Sequence, residues 1–410
     1  MQPVMVKRRP RVDWKDFLPA LIVVFNSLVW YALTFSTFSR AIDGLKAAAP
    51  ITLAIFTVYY VAITCSGILG AMLSPRERDT FLAAWMLIGA VMTALLITIP
   101  RNTIPINIII SLFLGIVAGT GLPSCLACFA DATVAENRGT YGGVTWGAIG
   151  IGILVLALSI NAFNLILTFA VLALWRLLGF AAFVISTRKK KKTRPLRDPS
   201  SFSFILHRRD MVLYLVPWIM FSLINFAEAP MLDRVFGDFA TLAGFIEFAI
   251  TGLFALVGGM LADNVGRKRV IITGFIILGV EYAVLSLSPE MPITWYLYTV
   301  FDGIAWGMFA SVFFMTLWGD LAGEYQREKY YALGGIPYFL AGFLPVIVKP
   351  YVGMIQTVTA FSLASFFLFL AVLPLMYAPE TLPEKTIRQR ELEKYVEAAE
   401  NLKNKSERKE

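Results

Sequence analysis

Residues 259–270 read GMLADNVGRKRV, and a related stretch, GAMLSPRERD at 70–79, lies 189 positions earlier. The same offset, without a gap, superposes four pairs of residues: Gly70 and Gly259, Arg78 and Arg267, Asp131 and Asp320, and Arg138 and Arg327. An offset of this length indicates a duplicated half rather than a short solenoid repeat. Each member lies at or just beyond the end of an apolar run, so the duplication predicts two related bundles of membrane helices with charged residues at one face.

The composition assigns most of the chain to a lipid environment. Of its 410 residues, 58% are hydrophobic and only 16% are charged, whereas a soluble chain carries about 25% charged residues. The net charge is +8, but the basic residues lie between apolar runs, which favours a topological role over nucleic-acid binding. The first apolar stretch is long and many others follow it, so we interpret it as a retained span rather than a cleaved signal peptide.

A membrane-spanning helix needs about 20 apolar residues. The sequence predicts twelve such spans, near residues 18–38, 49–73, 81–99, 105–130, 140–160, 163–187, 211–231, 240–262, 268–287, 293–318, 331–348 and 353–377.

The predicted organisation is an N-terminal six-helix bundle (1–187), a basic linker (188–210), a C-terminal six-helix bundle (211–378) and a charged tail (379–410). Lys and Arg are concentrated in alternate connections, and such residues stay on the cytoplasmic side. We therefore expect both termini, the linker and the tail to be cytoplasmic.

The segment 259–270 resembles the signature loop of the major facilitator superfamily, Gly-x-Leu-Ala-Asp-x-x-Gly-Arg-Lys/Arg. The matching residues are Gly259, Leu261, Ala262, Asp263, Gly266, Arg267 and Lys268. The match lies between predicted spans 8 and 9, one of the two places where that family carries the loop. The resemblance implies an all-α integral membrane fold, with twelve transmembrane helices in two pseudo-symmetric six-helix bundles.

The residue types explain what the loop does. A carboxylate at Asp263 can accept hydrogen bonds from helix N-terminal N–H groups and pair with an arginine. A glycine at 266 permits a tight turn. The earlier copy has Ser74 where the family has Asp. Two alternatives stay open for this loop: a weaker gate between spans 2 and 3, or a gate that uses Glu77 or Asp79 instead.

A second duplicated pattern follows predicted spans 4 and 10, FADATVAENRG at 129–139 and WGDLAGEYQRE at 318–328. It resembles an acidic-then-Arg pattern of the same superfamily. We expect inter-helix ion pairs among Asp131, Glu136, Arg138, Asp320, Glu324 and Arg327. As surface pairs each would contribute about 0–1 kcal/mol, whereas as a network they would bias one conformational state.

Ionisable residues inside the membrane are costly and mark candidate functional sites. The C-terminal half carries Glu228, Glu247, Glu281 and Asp302, and none has an acidic counterpart at the 189-residue offset. We therefore expect this half to carry proton coupling or cation recognition. Asp302 is the favoured cavity residue, and Trp306, one turn away, shares its helix face. Glu281 and Arg176 of span 6 are expected to have structural roles. Each would either form an ion pair or extend its charged end to the membrane interface.

Other candidate substrate contacts are polar or aromatic. Asn26 and Asn225 are among the few amides within spans, too few to favour a sugar despite the PETLPEK tail that resembles sugar porters. The aromatic candidates for the cavity wall are Trp30, Tyr31, Trp146, Trp218, Trp306 and Tyr338. The drug–proton antiporter signatures of spans 4 and 5 are absent from the sequence, which disfavours that class.

The sequence favours a monomeric, proton-coupled secondary transporter of a small organic solute in the plasma membrane, working by alternating access. A proton-independent facilitator, a drug or metabolite exporter, and a non-transporting membrane sensor stay open. No cofactor, metal or nucleic acid is expected, since Cys125 and Cys128 lie in an apolar run and His207 is the single histidine. We expect no enzyme, because no Ser/His, His-cluster or paired-carboxylate arrangement is evident.

Overall fold

A computed structural model describes residues 12–73, 77–99, 103–188, 200–323, 325–383 and 388. The first half contains six long helices, α1 (Trp14–Asp43), α2 (Ala49–Leu73), α3 (Arg78–Thr98), α4 (Ile104–Ala132), α5 (Arg138–Ile160) and α6 (Leu165–Thr187). A short helix, α7 (Phe202–His207), precedes the second half.

The second half is more interrupted. It contains α8 (Arg209–Phe236), α9 (Phe239–Val265), α10 (Arg267–Leu287), α11 (Pro292–Phe309), a π-helix (Ala310–Phe314), α12 (Leu317–Ala322), α13 (Arg327–Ala341), α14 (Leu344–Val348), a 3₁₀-helix (Lys349–Met354), α15 (Thr357–Leu370) and α16 (Val372–Tyr377).

Twelve helical segments in the described part of the chain are long and apolar enough to cross a membrane. Spans 1–6 are α1–α6, and spans 7, 8 and 9 are α8, α9 and α10. Span 10 covers Pro292–Ala322, span 11 Arg327–Met354 and span 12 Thr357–Tyr377. The twelve predicted spans are confirmed, although span 1 begins four residues earlier and ends five residues later than hydropathy indicated.

The spans form two six-helix bundles. Span 1 packs on spans 4, 5 and 6, and span 3 packs on span 6; in the other bundle, span 10 packs on spans 8 and 9, and span 9 also on span 12. The two bundles meet mainly where span 5 packs on span 8 and span 2 on span 11. Large apolar side chains such as Leu69 and Phe366 remain about 60% exposed on the outer surface, as expected of residues that face lipid.

The end of the linker contacts span 11. Ser201 caps α7 by accepting a hydrogen bond from the backbone N–H of Phe204 (3.0 Å). Lys329 Nζ donates to the carbonyl of Ser200 (2.6 Å), and Arg208 donates to the hydroxyl of Tyr330 (2.7 Å). These contacts hold the start of the second bundle beside the first turn of α13. The more basic part of the linker, 189–199, and most of the charged tail lie outside the described residues.

Candidate functional site

The duplicated charged residues meet at one end of the molecule, which we call the charged face. Arg78 contacts Asp131 within the N-terminal half (2.8 Å), and Arg267 contacts Asp320 within the C-terminal half (3.1 Å). Both residues of the second pair lie 189 positions after those of the first. The repeat in sequence is therefore a repeat of an interaction.

Two further ion pairs cross between the halves. Arg327 contacts Asp131 (2.5 Å), and Arg138 contacts Asp320. These pairs are also related by the 189-residue offset. Each aspartate thus joins an arginine of its own half to an arginine of the other half, and the four pairs form a pseudo-twofold network. The predicted pairing of Asp131, Arg138, Asp320 and Arg327 is present in the structure.

Asp263 of the signature loop binds across the same interface. Its carboxylate accepts hydrogen bonds from the backbone N–H groups of Gly139 (2.9 Å) and Thr140 (2.7 Å), at the N-terminus of α5. It also contacts Arg267 (2.9 Å). A carboxylate at this position complements the partial positive charge of a helix N-terminus. The loop of one half therefore holds the first turn of a helix in the other.

Most of the network is buried, so the expectation of surface ion pairs is wrong. The side chains of Arg138, Asp263, Arg267 and Asp320 are at most 3% exposed, and Asp131 is 21% exposed. Removing one partner from a buried pair costs about 3–5 kcal/mol, because it leaves an uncompensated charge. The network can therefore bias a conformational equilibrium much more than surface pairs would.

Glu328 is a network residue that the sequence reasoning missed. It contacts Arg78 across the interface, and both side chains are buried. It replaces the carboxylate that Ser74 does not supply, so the expectation of Glu77 or Asp79 in this role is wrong: both of those residues are exposed. Glu328 is the last residue of the quoted segment 318–328, three positions before predicted span 11, but nothing in the sequence indicates which arginine it meets. Glu136 lies in the connection between α4 and α5, and Glu324 lies outside the described residues.

The start of the tail braces the signature loop. Glu380 accepts hydrogen bonds from the backbone N–H groups of Arg267 (2.8 Å) and Lys268 (3.2 Å), at the N-terminus of α10. Lys268 Nζ in turn donates to the carbonyls of Met376 and Ala378 at 3.0 Å. Gly266, between α9 and α10, has φ +105°, a conformation open to glycine at little cost.

Two glycines let spans 5 and 8 approach closely. A Cβ at Gly139 would lie 2.6 Å from the carbonyl oxygen of Gly259, so neither helix can carry a larger side chain there without separating. Gly70 has a different environment from its counterpart Gly259, because it packs against the backbone of Thr120 in its own half. Among the glycines predicted from the sequence, Gly259 is thus the one at the interface between the halves.

A cavity of about 180 Å³ lies between the two bundles. Five of the six aromatic residues proposed from the sequence line it: Tyr31, Trp146, Trp218, Trp306 and Tyr338. Phe248, Phe313, Phe314 and Trp318 also line it and were not foreseen. Among the described residues, no charged side chain lines this cavity.

The π-helix in span 10 explains part of the wall. In a regular α-helix, Trp306 and Trp318 would point about 120° apart. A π-turn adds one residue and rotates the following segment by about 100°. The π-helix at 310–314 thereby brings Trp318 to the side of Trp306. Hydropathy carries no signal for such a turn.

Asp302 lies behind the wall rather than on it. It is 3% exposed, and its acidic neighbours are Glu247 of span 8 and Glu281 of span 9. Both carboxyl oxygens of Glu281 are buried and have no hydrogen-bond partner among the described residues. The expectation that Asp302 and Trp306 share the cavity face is therefore wrong, and Glu281 is beside other acids rather than in an ion pair.

Asn26 and Trp30 also point away from the cavity, toward Arg176. The Arg176 guanidinium lies between the rings of Trp30 and Trp85, 4.6 and 4.5 Å from their centroids. It donates hydrogen bonds to Asn26 Oδ1 (3.1 Å) and Ser27 Oγ (2.6 Å). Arg176 is fully buried, so the snorkelling interpretation is wrong; it is enclosed inside the N-terminal bundle.

Two residues of span 7 that the sequence indicated as candidate site residues lie outside the cavity wall. Asn225 and Glu228 are both partly buried and neither lines the cavity. One carboxyl oxygen of Glu228 is buried without a hydrogen-bond partner. Within the described ranges, no group of His, Cys, Asp and Glu has the arrangement of a metal site.

Comparison with known proteins gives the fold a name. No protein-family model and no curated protein sequence matches this chain. Among solved structures, the human organic anion transporter MFSD10 (TETRAN) superposes with a TM-score of 0.65 at 14% identity, covering 90% of this chain and 100% of that one. The major facilitator superfamily proton:xylose symporter XylE, bound to 6-bromo-6-deoxy-D-glucose, superposes with a TM-score of 0.69 at 16% identity, covering 90% and 97%.

The chain therefore has the major facilitator fold. The resemblance drawn from the signature loop is confirmed at the level of fold, and the subfamily is left open by identities this low.

Proposed function

We propose that this protein is a secondary transporter that moves a small organic solute across a membrane by alternating access, coupled to protons. The observation that carries the proposal is the pseudo-symmetric ion-pair network, which joins the two bundles at one end of a central cavity. Ion pairs that cross between two rigid bundles stabilise one arrangement and must break for the other. A binding cavity at the interface of repeated halves is the usual site of transport in such folds.

The charged face is assigned to the cytoplasm, because the connections at this end carry most of the Lys and Arg. On this assignment the structure represents a state closed to the cytoplasm. A plasma-membrane location, cytoplasmic termini and a monomeric chain complete the proposal, since one chain contains both halves of a transport unit.

Proton coupling is assigned to the acidic cluster behind the cavity wall, which we define as Glu247, Glu281 and Asp302. Carboxylates in the interior of a membrane protein are the ordinary carriers of protons in pumps and transporters. The carboxyls of Glu247 and Glu281 are the electrostatic neighbours of Asp302, and Asp302 lies one helical turn from Trp306 on the cavity wall. A change in the protonation of Asp302 can therefore affect the substrate site through span 10, which carries both residues.

The experiment is substrate-driven proton flux in proteoliposomes. Purified protein is reconstituted with an internal pH dye, and sugars, amino acids, organic acids and organic amines are added one at a time. We expect one class to cause a pH change that disappears in Asp302→Asn. Asp43→Asn, at the end of span 1 and away from the cluster, is the matched control.

Each alternative has its own outcome. Uptake of a labelled solute without any pH change would reject coupling in favour of a facilitator. Absence of uptake for every compound, with folded protein in the vesicles, would reject transport in favour of a membrane sensor. A pH change that persists in Asp302→Asn would reject the assigned coupling site alone.

A further inference from the structure

The walls of the central cavity are mostly aromatic and apolar. Five rings form what we call the aromatic box: Trp146, Trp218, Trp306, Phe314 and Tyr338. The ring of Phe314 stacks on Trp146 with centroids 5.1 Å apart and lies parallel to Trp306 at 6.5 Å. Tyr338 meets Trp306 edge to face at 6.2 Å. The box combines one ring from the N-terminal half with four from the C-terminal half.

Several polar groups of the wall are already used within the protein. Trp218 Nε1 donates to the carbonyl of Gly334 (2.7 Å), and the Tyr331 hydroxyl donates to the carbonyl of Met315 (2.6 Å). Thr64 Oγ1 donates to the carbonyl of Tyr60 (2.8 Å). These three groups are therefore not available to a solute, and a hydroxyl group placed against this part of the wall would lose its hydrogen bonds to water without replacing them.

The charge around the cavity is one-sided. Away from the ends of the spans, the ionisable side chains of the C-terminal half are all acidic. Glu247 is next in sequence to Phe248 of the cavity wall, and Asp302 is four residues before Trp306 of the wall. Arg176, the basic residue within the N-terminal spans, is fully buried against Trp30 and Trp85. An anionic solute would find no basic partner on the wall.

We propose that the cavity binds a small aromatic organic cation, such as an aryl ammonium, with the ring faces of the aromatic box contacting its positive charge. Tryptophan faces are the strongest aromatic partners of a cation, and aromatic cages are the usual protein sites for quaternary ammonium groups. This inference rests on the proposed transport function and names its substrate class. It assigns recognition to Trp306 and Phe314 and leaves the acidic cluster in its coupling role.

The test is binding of labelled phenyltrimethylammonium to the full-length protein in lipid nanodiscs. Unlabelled tert-butylbenzene, which has the same shape without the charge, and benzenesulfonate, which is anionic, serve as competitors. We expect the cation to bind and both competitors to displace it weakly. Trp306→Leu is expected to weaken cation binding about threefold to thirtyfold, the range given by the usual strength of a cation–π contact. Trp306→Phe keeps a ring and is expected to lose less.

Two further variants keep the test decisive. Phe314→Leu removes a second ring of the box and is used if Trp306→Leu does not fold. Trp14→Leu, at a tryptophan that is 59% exposed, is the control and is expected to bind as the parent does. Benzenesulfonate or tert-butylbenzene binding as tightly as the cation would overturn the inference, as would full affinity in both box variants.

The same reagents separate this inference from the proposed function. Labelled cation that binds but never accumulates in proteoliposomes would contradict transport while the binding class stands. Uptake of an anion or a neutral solute, with no binding of the cation, would contradict the binding class while transport stands.

Discussion

Arg327 of the C-terminal half contacts Asp131 of the N-terminal half at 2.5 Å. Its counterpart 189 residues earlier, Arg138, makes the reciprocal contact with Asp320. The 189-residue offset relates residue types, and here it also relates a pair of contacts that cross between the two halves. The two bundles are therefore tied at the charged face by the same interaction used twice.

The two aspartates are equivalent in sequence but not in burial, and this difference makes a prediction. Asp320→Asn leaves Arg138 and Arg267, both buried, without their shared carboxylate. We expect the closed arrangement to lose about 3–5 kcal/mol and the charged face to open. Asp131→Asn should have a smaller effect, because the Asp131 side chain is 21% exposed and Arg78 keeps its buried contact with Glu328.

Opening of the charged face is measured as the distance between spin labels at Val134 and Met376, in a background without native cysteines. Both side chains are exposed. Glu77→Gln, an exposed substitution outside the network, is the control. An unchanged distance distribution in Asp320→Asn would contradict the role given to the network.

Glu328 should matter more than the acidic residues next to Arg78 in sequence. Glu328→Gln removes the charge of a buried partner of Arg78, and a charged hydrogen bond left unmade costs about 1–3 kcal/mol. We expect a lower midpoint of thermal unfolding for this variant. Glu77→Gln and Asp79→Asn, both at exposed positions, are expected to unfold near the parent. Equal shifts of the unfolding midpoint in all three variants would contradict the role of Glu328 as the main acidic partner of Arg78.

Gly139→Ala is expected to push the two bundles apart at the charged face. Its new methyl group would lie 2.6 Å from the Gly259 carbonyl and 2.7 Å from Asp263 Oδ1, too close for either helix to stay. A cysteine introduced by Ala322→Cys, at a buried position, should then react faster with a maleimide. Gly244→Ala, where nothing lies within 4 Å, is the matched control; similar rates in both variants would refute the close-packing argument.

Arg176→Lys is expected to destabilise the N-terminal bundle without opening the charged face. A lysine ammonium cannot lie flat between Trp30 and Trp85 while also reaching Asn26 and Ser27, because it lacks the planar fork of arginine. We expect a loss of about 1–3 kcal/mol, measured by thermal unfolding followed through tryptophan fluorescence. Arg40→Lys, at an exposed position near the end of span 1, should be neutral. A stable Arg176→Lys protein would show that the stacking is dispensable.

The sequence by itself determined the number of spans, the duplication and the residue types at the charged face. Hydropathy is a local property, and a run of about 20 apolar residues has few alternatives to a membrane helix. The 189-residue offset was equally readable, since aligned Gly, Arg and Asp residues need no structure to be recognised. The resemblance to the major facilitator superfamily rested on the segment 259–270 and correctly predicted the fold.

Only the tertiary structure decided which residues meet. Glu328 replaced Glu77 and Asp79 as the partner of Arg78, because docking of span 11 against the first bundle brings it there from 250 positions away. The side chains of Asn26 and Trp30 point toward Arg176, and that of Asp302 lies near Glu247. The sequence could not predict this, because the rotation of a helix about its own axis depends on the helices that pack against it. A buried helix is apolar on nearly every side, so its own periodicity cannot say which face lines the cavity.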